Sequence, residues 1–266
     1  MAFDLQAYFT RIAFQGEAKP NLETLQRIHL LHTCAIPFEN IDVLLRREIR
    51  LDIDAVFQKL VVAGRGGYCY EQNALLRAAL EHIGFVVEDL GARVLIAQPA
   101  EMPPRTHRLL LITLNQQRYL ADVGFGGKTL TSALRLERDV VQNTDFGDYR
   151  LTQIDDDYLL SIQQQDEWLP LYRFDLQPQY ASDFEVANHY VSTWPQSHFY
   201  HHLMMCLKKA DGTTLTQNDW QFNDGQPRTI DDAAELYQLL QDKFGLSVND
   251  PRYGFSLAEF AAINLP

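Results

Sequence analysis

Up to about Gly84 the apolar positions recur at helical spacing, and beyond it they fall into short runs separated by turn residues. Leu5, Tyr8, Phe9 and Ile12 mark a short amphipathic helix. Pro20 and Asn21 open a second, with Asn21 as N-cap, Leu22, Leu25, Ile28 and His29 on its inner face, and Pro37 ending it. Asp52 or Asp54 caps a third, which carries Val56, Phe57, Leu60 and Val61. A fourth starts near Cys69, places Gln72, Leu76, Ala79, Leu80 and Ile83 on one face, and stops at Gly84.

Residues 85–90, 93–97, 108–114 and 118–123 are β-branched or leucine-rich runs, as are 149–154, 158–163 and 168–174, with Asp155-Asp156-Asp157 as a hairpin turn. Their even spacing suggests an antiparallel sheet or barrel. A later hairpin spans 203–208 and 213–217 around Asp211-Gly212. Thr229 is then read as the cap of a helix with Ala233, Leu236, Leu239, Leu240 and Phe244 inward, stopped by Gly245. Ser256 caps a last one, with Glu259 completing a capping box. Helices, then strands, then a mixed tail read as α+β, packed as one unit without repeats or linkers.

Composition narrows the function. A formal net charge of −12 over 266 residues argues against non-specific nucleic-acid binding. No apolar run is long enough to span a bilayer, and the N-terminus lacks the basic and apolar segments of a signal peptide. Three scattered cysteines without a C-x-x-C suit a reducing cytoplasm and argue against a disulfide framework or structural zinc. Cys34 and Cys206 lie in apolar surroundings and read as buried and inert.

Cys69 is different. It follows Arg65-Gly66-Gly67-Tyr68 and opens a helix, where unpaired N–H groups and the positive dipole end favour a thiolate. The glycines before it would let a substrate approach the sulfur. The alternative is a small buried hydrophobe, the commoner fate of a free cysteine. A nucleophilic cysteine needs a base, and the base an orienting group. His107 begins an apolar strand and Asp122 ends the next, so a hairpin would set them side by side. Singly, His107 reads as a structural histidine and Asp122 as a turn cap. Together with Cys69 they suit a cysteine-dependent acyl transferase or hydrolase. The backbone N–H of Cys69 is the candidate oxyanion donor.

Residues 65–73 resemble the R-G-G-x-C-x-E-x-N signature of arylamine N-acetyltransferases. Thr106-His107, Asp122-Val123-Gly124-Phe125-Gly126 and Pro37-Phe38-Glu39-Asn40 match that family's other motifs in order, and the likeness is to its bacterial N-hydroxyarylamine O-acetyltransferase branch. The resemblance implies an N-terminal helical bundle (1–84), a central antiparallel β-barrel (85–195) and a C-terminal α/β lid (196–266), around a cysteine-protease/transglutaminase-like catalytic core. It implies a ping-pong reaction in which Cys69 takes acetyl from acetyl-CoA as a thioester and an arylamine, arylhydrazine or N-hydroxyarylamine accepts it. His107 moves the proton and Asp122 holds His107. No permanent cofactor or metal is expected, and the protein is expected to be a cytoplasmic monomer or homodimer.

Supporting roles follow. Glu39 and Arg65 pair and fix the loop before Cys69, or are two solvated charges, and Asn73 anchors the turn or is a plain exposed polar position. Phe125, Phe38 and Val94 or Leu95 wall the acceptor, or are ordinary core. Thr106 belongs to the substrate-facing strand. Gly124, Gly126 and Gly127 offer backbone N–H groups for the CoA pyrophosphate, with Lys128 and Thr129 adding a charge and a hydroxyl. No basic cluster for the 3′-phosphate is visible, and Lys208-Lys209 read as simply solvated.

Two further readings compete. The same three residues would serve an amidase or peptidase of transglutaminase-like or papain-like type. From another class, His198, His201 and His202 crowd together as in a metal-binding or non-catalytic protein, although matching ligands at site-like spacing are absent.

Overall fold

The computed structural model describes residues 3–266. Met1 and Ala2, where the stretch read as lacking a signal peptide begins, lie outside the described residues. Asp4 and Asn21 cap α1 (Leu5–Arg11) and α2 (Leu22–Ala35) by accepting backbone N–H groups of the first turn. A single turn, α3 (Ile41–Leu44), follows the Pro37 loop and was not legible in the pattern. Asp52, not Asp54, caps α4 (Ile53–Phe57), which continues into a π-helical turn, Gln58–Val62. Then comes α5 (Cys69–Ile83), ended by Gly84 at φ +103°, a left-handed conformation that suits glycine.

Eight antiparallel strands form the main sheet: β1 (Val86–Val94), β2 (Arg105–Leu114), β3 (Gln117–Ala121), β4 (Leu134–Arg135), β5 (Val141–Thr144), β6 (Gly147–Ile154), β7 (Asp157–Gln164) and β8 (Glu167–Phe174). Their order is β4-β3-β2-β1-β8-β7-β6-β5. A bridge between Arg138 and Leu151 ties the chain beyond β4 to β6, so the sheet curls into a nearly closed barrel. Gly91 does not divide β1 as the sequence suggested; the strand runs through it and shifts register only at Ala92/Arg93.

Alternation on β2 divides two cores. Leu109 and Leu111 face the barrel interior with Leu120, Leu151 and Leu160, while Leu110 and Ile112 meet Ile28, Leu76 and Leu80 of the helices. Each such fully buried side chain contributes about 1.5–3 kcal/mol.

Residues 181–193, inside the stretch read as barrel, are a helix instead, α6 (Ala181–Thr193), followed by a short α7 (His198–His201). Phe184 and Val191 of α6 pack with Tyr68, Tyr70 and Phe38, while Val186, Tyr190 and Trp194 are exposed, which blurs the helical stripe in the sequence. The tail forms a second antiparallel sheet from β9 (Met204–Lys208), β10 (Thr214–Asn218), β11 (Gln221–Asn223) and β12 (Pro227–Thr229), ordered β12-β11-β10-β9. It packs on α8 (Ala233–Asp242) and α9 (Leu257–Ala261). Asp232 caps α8; Thr229, read as that cap, ends β12 instead. Among the described residues no helix is long and apolar enough to cross a membrane.

Phe38 joins these parts. It bridges Gly67 on one side and Cys206 of β9 on the other, so the Pro37-Phe38-Glu39 segment is clamped between the cysteine loop and the second sheet.

Candidate active site

Below the cysteine loop lies a buried ion network. Arg65 is wholly buried and donates to Glu39 at 2.7 Å and to Asp42 at 3.3 Å, while Lys59 reaches Asp42 at 2.7 Å and Glu71 at 2.8 Å. Glu39 and Arg65 therefore pair as the sequence suggested, but Asp42, Lys59 and Glu71 were missed. Burial alone would discharge Arg65 and Lys59, yet the surrounding carboxylates outweigh it and raise both. Glu71, sharing one ammonium with Asp42, is pushed up by burial. Its second oxygen accepts the Tyr68 N–H at 3.1 Å, which fixes the first turn of α5. Arg65→Met should cost about 3–5 kcal/mol, because Glu39 would be left buried without its cation and Asp42 would keep only Lys59. A urea-denaturation midpoint equal to the wild-type value would contradict this.

The glycines of this loop serve packing rather than access to the sulfur. A Cβ on Gly66 would stand 2.2 Å from the Pro37 carbonyl oxygen, and one on Gly67 2.6 Å from Glu71 Oε2. Gly124 is the glycine that touches the cysteine: its Cβ would lie 2.6 Å from Cys69 Cα.

The β2–β3 hairpin pairs Leu110 with Ala121, and this register brings His107 beside Asp122, Nε2 to Oδ2 at 2.7 Å. Both are buried; the Cys69 thiol donates to the Thr106 carbonyl at 3.9 Å, and the sulfur lies near enough to the His107 ring to favour its charged form. With Nε2 engaged by Asp122, Nδ1 is the nitrogen left for the sulfur. The three side chains that lie far apart in sequence thus meet. Burial disfavours the imidazolium, but the Asp122 charge and hydrogen bond outweigh it and push His107 up to about 10. Burial likewise opposes the Asp122 carboxylate, and His107 reverses this, holding Asp122 low.

Asp122 is fixed from several sides. Its Oδ1 accepts from Asn73 Nδ2 at 3.0 Å and Gly124 N at 2.9 Å, and its own N–H donates to His29 Nε2 at 3.1 Å. Asn73 does more than anchor its turn, since it also donates to the Arg108 carbonyl and accepts from Val123 N. His29 must be neutral to accept, and burial holds it down at about 4. A polar residue on the apolar face of α2 was the available signal for it. Tyr172 is buried with its ring 5.1 Å from that of His107, and burial together with the Asp122 charge raises its phenol.

A cleft of about 330 Å³ opens over the sulfur. Phe38, Val94, Thr106, Gly124, Phe125, Gly126, Gly127 and Lys128, all singled out in the sequence, line it. Leu95 and Thr129 do not. Beyond the end of β1, Ile96 takes the place in the lining expected of Leu95, while the Thr129 hydroxyl donates to the Asp122 carbonyl and accepts from Phe125 N. The N–H of Gly124 is already spent on Asp122, so it is not free for a phosphate. Phe199, Met204, Met205, Thr216 and Asn218, from α7 and the second sheet, complete the walls and were not foreseen.

The remaining candidates lie elsewhere. Cys206 is buried and its thiol is pushed up to about 12 by burial; Cys34 is only half-buried, contrary to the sequence reading, and is raised by the same cause. The rings of His198 and His202 stack at 4.2 Å, His202 contacts Asp219, and His201 contacts the Pro195 carbonyl. Among the described residues no group of three His, Cys, Asp or Glu side chains is placed to hold a metal ion.

Comparison with known proteins decides the family. The model of the N-acetyltransferase family matches residues 21–253. The chain belongs to the arylamine N-acetyltransferase family. It is 46% identical to the arylamine N-acetyltransferase of Escherichia coli (strain K12), covering 97% of this chain and 94% of the relative. It is 48% identical to the arylamine N-acetyltransferase / N-hydroxyarylamine O-acetyltransferase of Salmonella typhimurium, with the same coverage. The solved Salmonella typhimurium structure superposes with a TM-score of 0.95 over 97% of both chains. A Mycobacterium marinum arylamine N-acetyltransferase solved in complex with CoA gives 0.92 at 36% identity, over 97% of both chains. The protein is accordingly an acyltransferase of this family, with its α+β architecture of helices, barrel and second sheet.

Proposed function

We propose that this N-acetyltransferase takes acetyl from acetyl-CoA onto Cys69 and passes it to an arylamine, arylhydrazine or N-hydroxyarylamine in a ping-pong cycle. The observation that carries this reading is the contact of Cys69, His107 and Asp122 beneath an apolar cleft. The thiol proton passes to His107 Nδ1, and the sulfur attacks the thioester carbonyl. The oxyanion is met by the Cys69 N–H at the helix start, and CoA leaves as the thiol after taking the proton. The acceptor nitrogen or oxygen then attacks the acetyl-cysteine while His107 removes its proton. Phe38, Phe125, Phe199 and Ile96 offer a flat aromatic acceptor an apolar bed, and each substrate uses the cleft in turn. Three free cysteines support a reducing, cytoplasmic setting.

Initial rates with acetyl-CoA and an aromatic amine should give parallel double-reciprocal lines, and acetyl-CoA alone should leave one acetyl group on Cys69 by peptide mass. Intersecting lines with no acetyl-enzyme would overturn the ping-pong reading, and amide cleavage without CoA-dependent acetylation would favour a hydrolase.

Alkylation offers a second check. Asp122 makes His107 a strong base beside the sulfur, able to take the thiol proton as the nucleophile reacts, whereas burial raises the thiols of Cys34 and Cys206. Iodoacetamide should therefore label Cys69 before Cys34 and Cys206 at neutral pH. Equal labelling of all three at neutral pH would contradict an activated Cys69.

A further inference from the structure

Gln72 lies one turn after Cys69 on α5 and is wholly buried. Its Nε2 donates to the Pro37 carbonyl at 2.9 Å and to the Gly67 carbonyl at 3.2 Å, while its Oε1 meets His32 Nε2 at 2.7 Å. His32 of α2, also wholly buried, turns its Nδ1 to the Tyr8 hydroxyl of α1 at 2.8 Å. None of these three side chains lines the cleft.

The direction of every bond in this row is forced from one end. Backbone carbonyls only accept, so the Gln72 NH2 must face Pro37 and Gly67, and its oxygen must face His32. That oxygen needs a donor, so His32 carries its proton on Nε2. Nδ1 is then an acceptor, and the Tyr8 hydroxyl donates to it. Burial keeps the imidazole neutral, holding it down at about 3. Gripped at both ends, the Gln72 amide has one orientation.

The row acts on the cleft through Phe38. The Phe38 N–H and carbonyl are bonded to Cys206 of β9 at 2.9 and 3.1 Å, so its backbone follows the second sheet. On the other side, Gly67 N reaches the Pro37 carbonyl at the longer distance of 3.3 Å. The Gln72 bond to that same carbonyl is shorter, and it ties the segment directly to α5, the helix that carries Cys69. The sulfur is placed by the start of α5 and by its contact with the Thr106 carbonyl. Thiol reactivity and the placement of Phe38 are therefore separable.

We propose that Gln72 is a positioning residue for the aromatic acceptor. Its amide sets Phe38 against Cys69, and His32 and Tyr8 hold the amide in the orientation that does so. This rests on the reading of Cys69 as the acetyl carrier and of the apolar cleft as the acceptor's bed.

Q72M keeps the side chain's length and removes its donors and acceptor. Its kcat/KM for an aromatic amine should fall about tenfold through the KM for the amine, the size expected of one or two neutral hydrogen bonds. Alkylation of Cys69 by iodoacetamide and hydrolysis of the acetyl-enzyme by water do not use the aromatic bed, and both should stay within about twofold of the wild type. A fall of less than about twofold with the amine, or a parallel loss in all three rates, overturns the proposal. NMR of the histidine ring nitrogens gives a readout besides activity. The histidine displaced by Y8F should be an Nε2–H tautomer in the wild type; an Nδ1–H tautomer, or no histidine displaced, overturns the row. Should Q72M fail to fold, Y8F decides, since it removes a single hydroxyl. The same split is expected at about threefold, and its absence overturns the proposal. Wild-type protein that forms no acetyl-Cys69 would overturn the transfer reading and this proposal with it, whereas an acetyl-enzyme whose variants show no split overturns this proposal alone.

Discussion

Cys69→Ser lowers acetyl transfer from acetyl-CoA by at least about 10³-fold, the expected result if the sulfur carries the acetyl group. A hydroxyl holds its proton far more tightly than a thiol, so His107 cannot generate an anion there before attack. The exchange of sulfur for oxygen removes little volume from a buried site and leaves the His107–Asp122 bond in place. Thermal unfolding should therefore occur within a few degrees of the wild type. No acetyl group should appear on residue 69 by peptide mass. Substantial turnover by the serine variant would remove Cys69 from the nucleophile's role.

Asp122→Asn should be nearly as severe, about 10³–10⁴-fold in kcat/KM, by analogy with the loss of the orienting carboxylate in serine hydrolases. The reason lies in the partners of Asp122. Oδ1 accepts from Asn73 and Gly124, so an asparagine must keep its oxygen on that side. Its amide nitrogen then faces His107 Nε2 and can only donate. This forces the ring proton onto Nδ1, where it points at the sulfur and blocks proton acceptance from the thiol. Loss of the carboxylate charge also removes what raises His107 to about 10. The variant should therefore be alkylated at Cys69 more slowly than the wild type at neutral pH. A near wild-type rate would mean that Asp122 only caps its turn.

Much of the local structure was legible. Apolar spacing, Asn21, Gly84 and the Ser256–Glu259 capping box located α2, α5 and α9, and β-branched or leucine-rich runs between turn residues located β2, β3 and β6–β8. Other elements were hidden for definite reasons. α6 exposes Val186 and Tyr190, and Trp194 just past its end, so its apolar residues do not confine themselves to one stripe. β4 and β5 are short edge elements whose pairing comes from neighbours and not from their own pattern. Thr229 was a reasonable cap by residue type, but Asp232 lies where the helix turns and accepts two N–H groups there.

The three chemical side chains could be nominated from sequence because residue type and position on an element constrain what each can do. Their contact could not be measured that way. Nor could the far wall of the cleft be seen, because Phe199, Met204 and Thr216 reach it from a helical turn and a second sheet that only long-range packing brings over Cys69. The same holds for the ion network of Lys59, Asp42 and Glu71 and for Lys208, which reads as a surface residue until β9 folds behind Gly127. Helices, strands and caps are set by interactions within a few residues, which the order of amino acids displays directly. Burial, counter-charge and the facing of one segment on another depend on contacts between residues far apart along the chain, and the folded chain alone decides them.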